Sequence, residues 1–399
     1  MAGTVLISGA GIAGPALAYW LHRYGHAVTV VETGAAVRPG GQAVDVRGAA
    51  RDVLARMGVL SQVRELRVEE RGIAYVDAGG RWLSRMPAHL FGGEGIVSEI
   101  EISRGDLAAV LYEHTRESVE YLFADRIVGL DQDGDGVRVR FATGAQRRFD
   151  IVVGADGVHS GVRRLAFGPE VDHVRPLGGY TSYFTVPDPG DLDSWFLMHN
   201  APGGRVAGVR PERNGTAKAL LAFTSPPLGV DRRDPDQQRR IVAEAFTGVG
   251  WRVPQLLAAM WTATDFYFDP ICQVHVPTWW HGRVALLGDA GYCGSPLTGM
   301  GTSMALVGAY VLAGEVAAAP GAPEVAFRRY QDTLRDYVRR GQALPPGGLR
   351  GFAPRTRLEI SARTASMRMM HHWPVRNILA RQFGKADATR LPEYAPTAA

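Results

Sequence analysis

The apolar positions of this chain change rhythm twice. The unbroken apolar run TVLIS (4–8) predicts a buried strand, GAGIAGPALAYWLHRYGH (9–26) a glycine turn feeding a helix, and AVTVVE (27–32) a second strand ending on an acid. That is a βαβ opening. Residues 47–67 carry a helical spacing, 71–101 short strands between glycine turns, and SRGDLAAVLYEHT (103–115) a helix with Ser103 placed to cap it. RIVGLDQDGDGVRVRF predicts a hairpin turning at DGDG, and DIVVGAD a buried strand leading to Asp156. Between about 172 and 276 the pattern alternates, as in GGYTSYFTV, SWFLMHN and KALLAFTS, with helices near 233–260, so an antiparallel sheet is expected there. RVALLGDA (283–290) returns to the buried parallel style, and helices are predicted over 300–318, 322–342 and 355–385. The expected fold is α/β, with a discontinuous Rossmann-type domain over 1–171 and 277–345. An antiparallel-sheet domain would span 172–276 and a helical segment 346–399.

Composition narrows the function classes. A chain of 399 residues, 46% hydrophobic, can bury two cores, and no apolar run reads as a bilayer span of roughly 20 uncharged residues. Lysine occurs only at 218 and 385, so the net charge of +4 is carried by arginine. RRDPDQQRR (232–240) and FRRYQDTLRDYVRR (327–340) interleave acids at helical spacing, as solvated helix faces do. Neither nucleic acid nor membrane is expected as a partner. Cys272 and Cys293 are the only cysteines and form no C-x-x-C, which fits a reducing cytoplasm. HHW at 371–373 has no metal-ligand spacing, so no metal is expected.

Gly9, Gly11 and Gly14, with Ile12 and Ala13 between them, form G-x-G-x-x-G between strand and helix, where backbone amides and the helix N-terminus meet a pyrophosphate. Glu32, eighteen residues after Gly14, ends the second strand and is placed for an adenosine ribose. These features accommodate NAD or FAD equally.

VVGADGVHSGVRR (152–164) and ALLGDAGYCGSPLTGMG (285–301), taken with the first motif, resemble the Asp-Gly and Gly-Asp motifs of the class A flavoprotein aromatic hydroxylases, the p-hydroxybenzoate hydroxylase family. The resemblance runs from residue 1 to about 320 and implies an extended FAD. On that basis Asp289 meets the ribityl or pyrophosphate region, and Pro296 with the backbone of Gly299, Met300 and Gly301 lies beside the isoalloxazine. The helix starting near 300 would aim its positive end at the flavin N1/O2 locus. Asp156, Gly157, Ser160 and Arg163 match a motif linked to flavin contact and NAD(P)H use, though Asp156 can equally cap a helix. Arg104 matches an arginine that reaches the cofactor, the alternative being an ion pair with Asp106. VRPGGQAVDVRG (37–48) resembles the flavin-contacting loop of the tetracycline-degrading members and adds Arg38, Gly41, Gln42, Asp45 and Arg47. Departures are Gly291-Tyr292 in place of Ala-His, Met300 and Ser303 in place of Gln and Asn, and Thr33 in place of Arg, a role open to Arg38.

The implied function is an FAD monooxygenase in which NADPH or NADH reduces the flavin, O2 yields a C4a-hydroperoxide, and an aromatic or polyketide-like molecule is hydroxylated. The cofactor carries that chemistry, so no catalytic side chain is named. Tyr180, Tyr183, Phe196, Met198 and Phe223 are the candidate substrate contacts, and the chain is expected to be a monomer or homodimer. The competing classes are an FAD dehydrogenase or reductase on the same scaffold and a flavoprotein that holds a metabolite without turnover.

Overall fold

The computed structural model describes residues 3–91, 100–213, 215–369 and 389–394. The opening unit forms as strand Thr4–Ser8, helix Ala13–Arg23 and strand Ala27–Glu32. Strand Thr4–Ser8 lies inside a six-stranded sheet ordered 280–281, 284–286, 151–154, 4–8, 27–32, 120–123. Every pairing is parallel except that of Trp280–His281 with Val284–Leu286. The strands are short apolar runs because both their faces are wanted in the core: Leu6, Val30, Val152 and Leu286 are all fully buried.

The helix Gly301–Ala318 forms where the sequence predicts one. By length and composition it is apolar enough to cross a membrane, yet 83% of it is buried inside the fold. It packs on helices Ala13–Arg23 and Pro323–Gly341, and a helix apolar on every side suits that central position. Two expectations shift locally. The helical stretch 47–67 divides into Ala49–Met57 and Leu60–Glu65, because Gly58 turns left-handed at φ +82°. Helix Arg104–Glu113 starts after Ser103, whose side chain makes no capping bond.

A second sheet has seven strands ordered 267–274, 174–187, 216–224, 205–211, 195–201, 72–76, 82–87. Strands Gly72–Val76 and Trp82–Pro87 come from the span the sequence assigned to the first domain, and Gly72–Val76 pairs parallel with Trp195–Ala201. The chain therefore enters this sheet before residue 100. A strand's own pattern reports its burial and not the sheet it joins, which is why the boundary at 172 misses them. One face of the sheet packs Ala74, Phe184, Leu197, Leu221 and Phe268 against helices Pro235–Ala245 and Val253–Thr262. On the opposite face, Met198 and Val206 sit under Met367 of helix Arg357–Met369. Arg363 pins that helix by donating to Asn200 at 2.7 Å and lying over the Tyr75 ring at 4.4 Å. The remainder of the predicted third C-terminal helix, and the HHW stretch, lie outside the described residues.

Candidate functional site

The parallel strands of the six-stranded sheet all end at one edge, and the motif residues collect there. Gly9 follows Ser8, Asp156 follows the strand Ile151–Gly154, and Asp289 lies three residues beyond Leu286. Gly9 has φ +105°, and a Cβ on it would stand 2.6 Å from the Ala155 carbonyl oxygen; a Cβ on Gly14 would overlap the Gly9 carbonyl oxygen. The turn is closed against two backbones at once. Helix Ala13–Arg23 begins at Ile12 with no side-chain cap and no acid in its first turn, leaving its amide donors and its positive dipole end unspent.

Arg104 faces this turn. A Cβ on Gly11 would stand 3.1 Å from an Arg104 guanidinium nitrogen, and one on Gly41 3.5 Å from Arg104 Cβ. Strands Ala43–Asp45 and Glu101–Ser103 pair, the Arg104 amide donates to Gln42 O at 3.0 Å, and Gly105 N donates to Gly40 O at 2.7 Å. Those bonds dock the loop 37–45 on the start of helix Arg104–Glu113. The ion pair with Asp106 does not form: among the described residues the Arg104 side chain has no hydrogen bond or ion pair. Its charge acts on Asp289 and on Tyr267. Arg38 is exposed on the outer side of the same loop, near Asp106 and Tyr112.

The loop quoted above at 285–301 closes the edge from the other side. Pro296–Thr298 forms a single turn, Gly299 is left-handed, and Met300 precedes the helix Gly301–Ala318, which also lacks a side-chain cap and a first-turn acid. A Cβ on Gly299 would stand 2.8 Å from Asp45 Oδ2. Asp45 in turn pairs with Arg47 at 2.9 Å, and Ser303 Oγ accepts from Arg47 N at 3.0 Å. Burial raises the Asp289 carboxyl above its ordinary range, opposed by the Cys293 thiol and by Arg104. Tyr292, at the position of the family's histidine, is buried with its hydroxyl 2.7 Å from that of Tyr330, so it packs the core.

Two predicted residues are occupied within the chain. Glu32 accepts from the amides of Ala10 and Gly34, both at 2.8 Å, and so braces the glycine turn directly. Asp156 accepts from Ser160 Oγ, from Gly161 N at 2.9 Å and from Val162 N at 3.1 Å, which is the helix-capping alternative. Fully buried Arg163 donates to Ala290 O at 2.8 Å and to Val158 O at 2.6 Å, tying the 152–164 motif to the 285–301 motif. Cys272 and Cys293 are buried and free, and burial pushes the Cys272 thiol up to about 12, so neither is a thiolate near neutrality. Among the described residues no cluster of His, Cys, Asp and Glu is arranged to hold a metal ion.

Of the candidate substrate contacts, Tyr180 and Phe223 point the wrong way. Their rings stack 5.8 Å apart in the helix-covered core, and Tyr180 Oη accepts from Leu228 N at 2.7 Å. Strand alternation sends odd and even positions to opposite faces, and the two were assigned without fixing that phase. Met198 faces the other side but is covered by Met367. Tyr183 and Phe196 are half-buried on that same face, packed against the Met198 cluster, with the Arg210 guanidinium 5.4 Å from the Phe196 ring.

The sequence reading missed a cluster beside them. His159 Nε2 lies 2.9 Å from Asp269 and its Nδ1 3.2 Å from Glu170, and Tyr267 donates to Asp269 at 2.9 Å. The cluster ties the 152–164 motif to the edge strand Tyr267–Val274, and FYFDPICQ carried the signal by putting Tyr267 and Asp269 on one face. Burial lowers the His159 pKa, but hydrogen bonds to Asp269 and Glu170 outweigh it and leave the group raised. A raised folded-state value means the contribution to stability is complete below about 6.5 and is lost as pH rises through the folded value. The unfolding temperature of wild type is therefore expected to exceed that of His159→Gln most in acid and to converge with it in base. A gap that widens with pH contradicts the assignment.

These features suit an anionic cofactor laid across the sheet edge, and comparison with known proteins gives the class. Residues 3–340 match the FAD binding domain family, and the chain belongs to it. It is 40% identical to a flavin-dependent monooxygenase of Legionella longbeachae over 336 residues, 84% of this chain and 85% of that one. An uncharacterized protein of Mycobacterium tuberculosis is 48% identical over 353 residues, 88% of this chain and 95% of that one. The crystal structure of tetracycline destructase Tet(51) superposes with a TM-score of 0.84 at 33% identity, covering 99% of this chain and 100% of that one. The protein is an FAD-dependent monooxygenase.

Proposed function

We propose that the protein takes electrons from NADH or NADPH and uses O2 to hydroxylate an aromatic or polyketide-like small molecule in the crevice between the two sheets. The observation that carries this reading is an arginine, Arg104, without a hydrogen bond or ion pair among the described residues, set beside the Gly9–Gly14 turn of a helix that, like Gly301–Ala318, starts with no side-chain cap. The residues fit FAD. The Gly9–Gly14 turn, the N-terminus at Ile12 and Ala13, and Arg104 suit a pyrophosphate, because the helix start has no side-chain cap or first-turn acid and the guanidinium has no hydrogen bond or ion pair among the described residues. Gly41 and Gln42 would flank the cofactor beside Arg104, and Glu32 and Arg38 would lie toward its adenosine end. Asp289 would meet ribityl hydroxyls, and Pro296, Gly299, Met300 and Gly301 the ring system. Asp156 would act through the turn it supports, by packing beside Gly9.

When bound, FAD supplies hydride acceptance and oxygen activation, which no side chain here can perform. The chain's own work is to position and to exclude water. The N-terminus of helix Gly301–Ala318 offers amides and a positive dipole end to negative charge arriving at that point. Tyr183, Phe196 and Tyr267 line the opposite wall with rings against which a planar substrate can stack, and a dry wall favours transfer to substrate over loss to solvent. The similarity to a tetracycline destructase supports a polycyclic substrate, and two free thiols support a reducing cytoplasm.

The test is isotopic. Protein reconstituted with FAD is supplied with NADPH or NADH, 18O2 and a panel of phenols and polycyclic enols. One 18O atom is expected in a product 18 mass units above that substrate, with nicotinamide oxidation accelerated by the same compound. Nicotinamide oxidation that only produces hydrogen peroxide across the panel contradicts the reading.

A further inference from the structure

Tyr267 begins the edge strand of the seven-stranded sheet, directly opposite Tyr183, with ring centroids 6.4 Å apart. Alternation sends Phe268 into the helix-covered core and leaves Tyr267 and Asp269 on the opposite face. Tyr267 keeps 39% of its surface exposed. Its phenol nevertheless sits well above its ordinary pKa, through burial first and the neighbouring Asp269 second, with Arg104 acting in opposition. Arg104, which approaches Gly11, also acts on this phenol, and so relates Tyr267 to the glycine turn.

A tyrosine hydroxyl has one proton and accepts with its lone pairs. Here the proton is directed to Asp269 Oδ2, at 2.9 Å. Asp269 also faces His159 Nε2 at 2.9 and 3.0 Å, while His159 Nδ1 faces Glu170 at 3.2 Å. An imidazole with a carboxylate at each nitrogen carries both protons, so Asp269 is kept an acceptor toward ring and phenol alike. Arg232 and Arg163 complete the charges around the cluster, 2.8 and 4.0 Å from Glu170. Lone pairs are all that Tyr267 Oη has left to present.

We infer that Tyr267 faces the crevice as an obligate hydrogen-bond acceptor and selects a neutral hydroxyl donor there, with Asp269 and His159 as the residues that hold it in that role. The donor is either the protonated phenol or enol of a substrate or a ribityl hydroxyl of the flavin. The inference rests on the proposed function in taking this crevice as the cofactor and substrate site. An ionised substrate oxygen is disfavoured at Oη because it would set lone pairs against lone pairs, and a buried acceptor left without a donor is costly.

The test uses FAD-loaded wild type, Tyr267→Phe and Asp269→Asn. The probe is p-nitrophenol, whose binding is read from the flavin absorption spectrum below and above its ionisation. FAD affinity is measured in parallel by titrating apo-protein. Wild type is expected to prefer the neutral probe by about tenfold, and Tyr267→Phe to erase that preference, when the donor is a substrate hydroxyl. When the donor is ribityl, Tyr267→Phe weakens FAD by about tenfold and leaves the probe unaffected. In Asp269→Asn the new amide donates to Oη and turns the phenol proton toward the crevice, so the preference moves to the ionised probe or, in the ribityl case, FAD weakens as it does in Tyr267→Phe. Simple loss of packing does not reverse a charge preference. Should Tyr267→Phe fail to fold, Asp269→Asn carries the same comparison. Variants that fold and shift neither quantity by more than about twofold overturn the inference. Wild type that binds neither FAD nor p-nitrophenol fails the proposed function, and this inference falls with it.

Discussion

Gly14→Ala protein is expected to purify without flavin and to bind added FAD at least about a hundredfold more weakly, a loss of some 2.7 kcal/mol. The added methyl has nowhere to go. It would overlap the carbonyl oxygen of Gly9, which is itself pressed against Ala155 with φ +105°, so the first turn of helix Ala13–Arg23 must move away from the strand Thr4–Ser8. Moving it withdraws the helix N-terminus and the turn's amides from the anion they would face. It also breaks the bond from Ala10 N to Glu32. Part of the cost falls on the fold, and about 2 kcal/mol of stability is a reasonable size for a backbone clash in the core. The check is a fluorescence titration of apo-protein with FAD beside a thermal melt. Wild-type affinity in a folded variant means that FAD does not sit on this turn.

Arg104→Ala is expected to lower FAD affinity by roughly 30-fold to 100-fold, the worth of a charge-assisted interaction of about 2 to 3 kcal/mol. It should leave the melting temperature of apo-protein almost unchanged. The two outcomes separate because the guanidinium has no hydrogen bond or ion pair among the described residues. Removing it breaks no hydrogen bond or ion pair among the described residues while depriving the pyrophosphate of a cation. Arg104→Lys should recover part of the affinity, since an ammonium restores charge without the planar fork. A large fall in apo stability with unchanged FAD affinity would assign Arg104 to the scaffold.

The residues differ in how readily their sequence disclosed their work. Gly9, Gly11 and Gly14 were legible because their spacing is local and their neighbours, TVLIS before and a helix after, supply the context that gives the spacing meaning. Asp289 was singled out by the resemblance of the 285–301 stretch to a family motif. Asp156 and Glu32 were found but their immediate partners were not. Both carboxylates are taken up by backbone amides, Gly161 and Val162 for one and Ala10 and Gly34 for the other, and such bonds depend on how a turn closes. Tyr180 and Phe223 were misplaced because an alternating strand announces two faces without saying which one meets the site.

The family and FAD were implied by a resemblance of motifs; by itself the sequence determined what is written in short-range pattern: the α/β class, the βαβ opening and the glycine turn. Each depends on residues a few positions apart, where backbone geometry alone links spacing to shape. Only the tertiary structure decided that strands Gly72–Val76 and Trp82–Pro87 enter the second sheet, that Gly301–Ala318 is a core helix, and that Arg104 stands beside Gly11. It alone brought His159, Asp269 and Tyr267 into one hydrogen-bonded cluster across more than a hundred residues. Such pairings follow from how two sheets pack. Packing is decided by the burial of whole faces, which no local stretch of residues encodes.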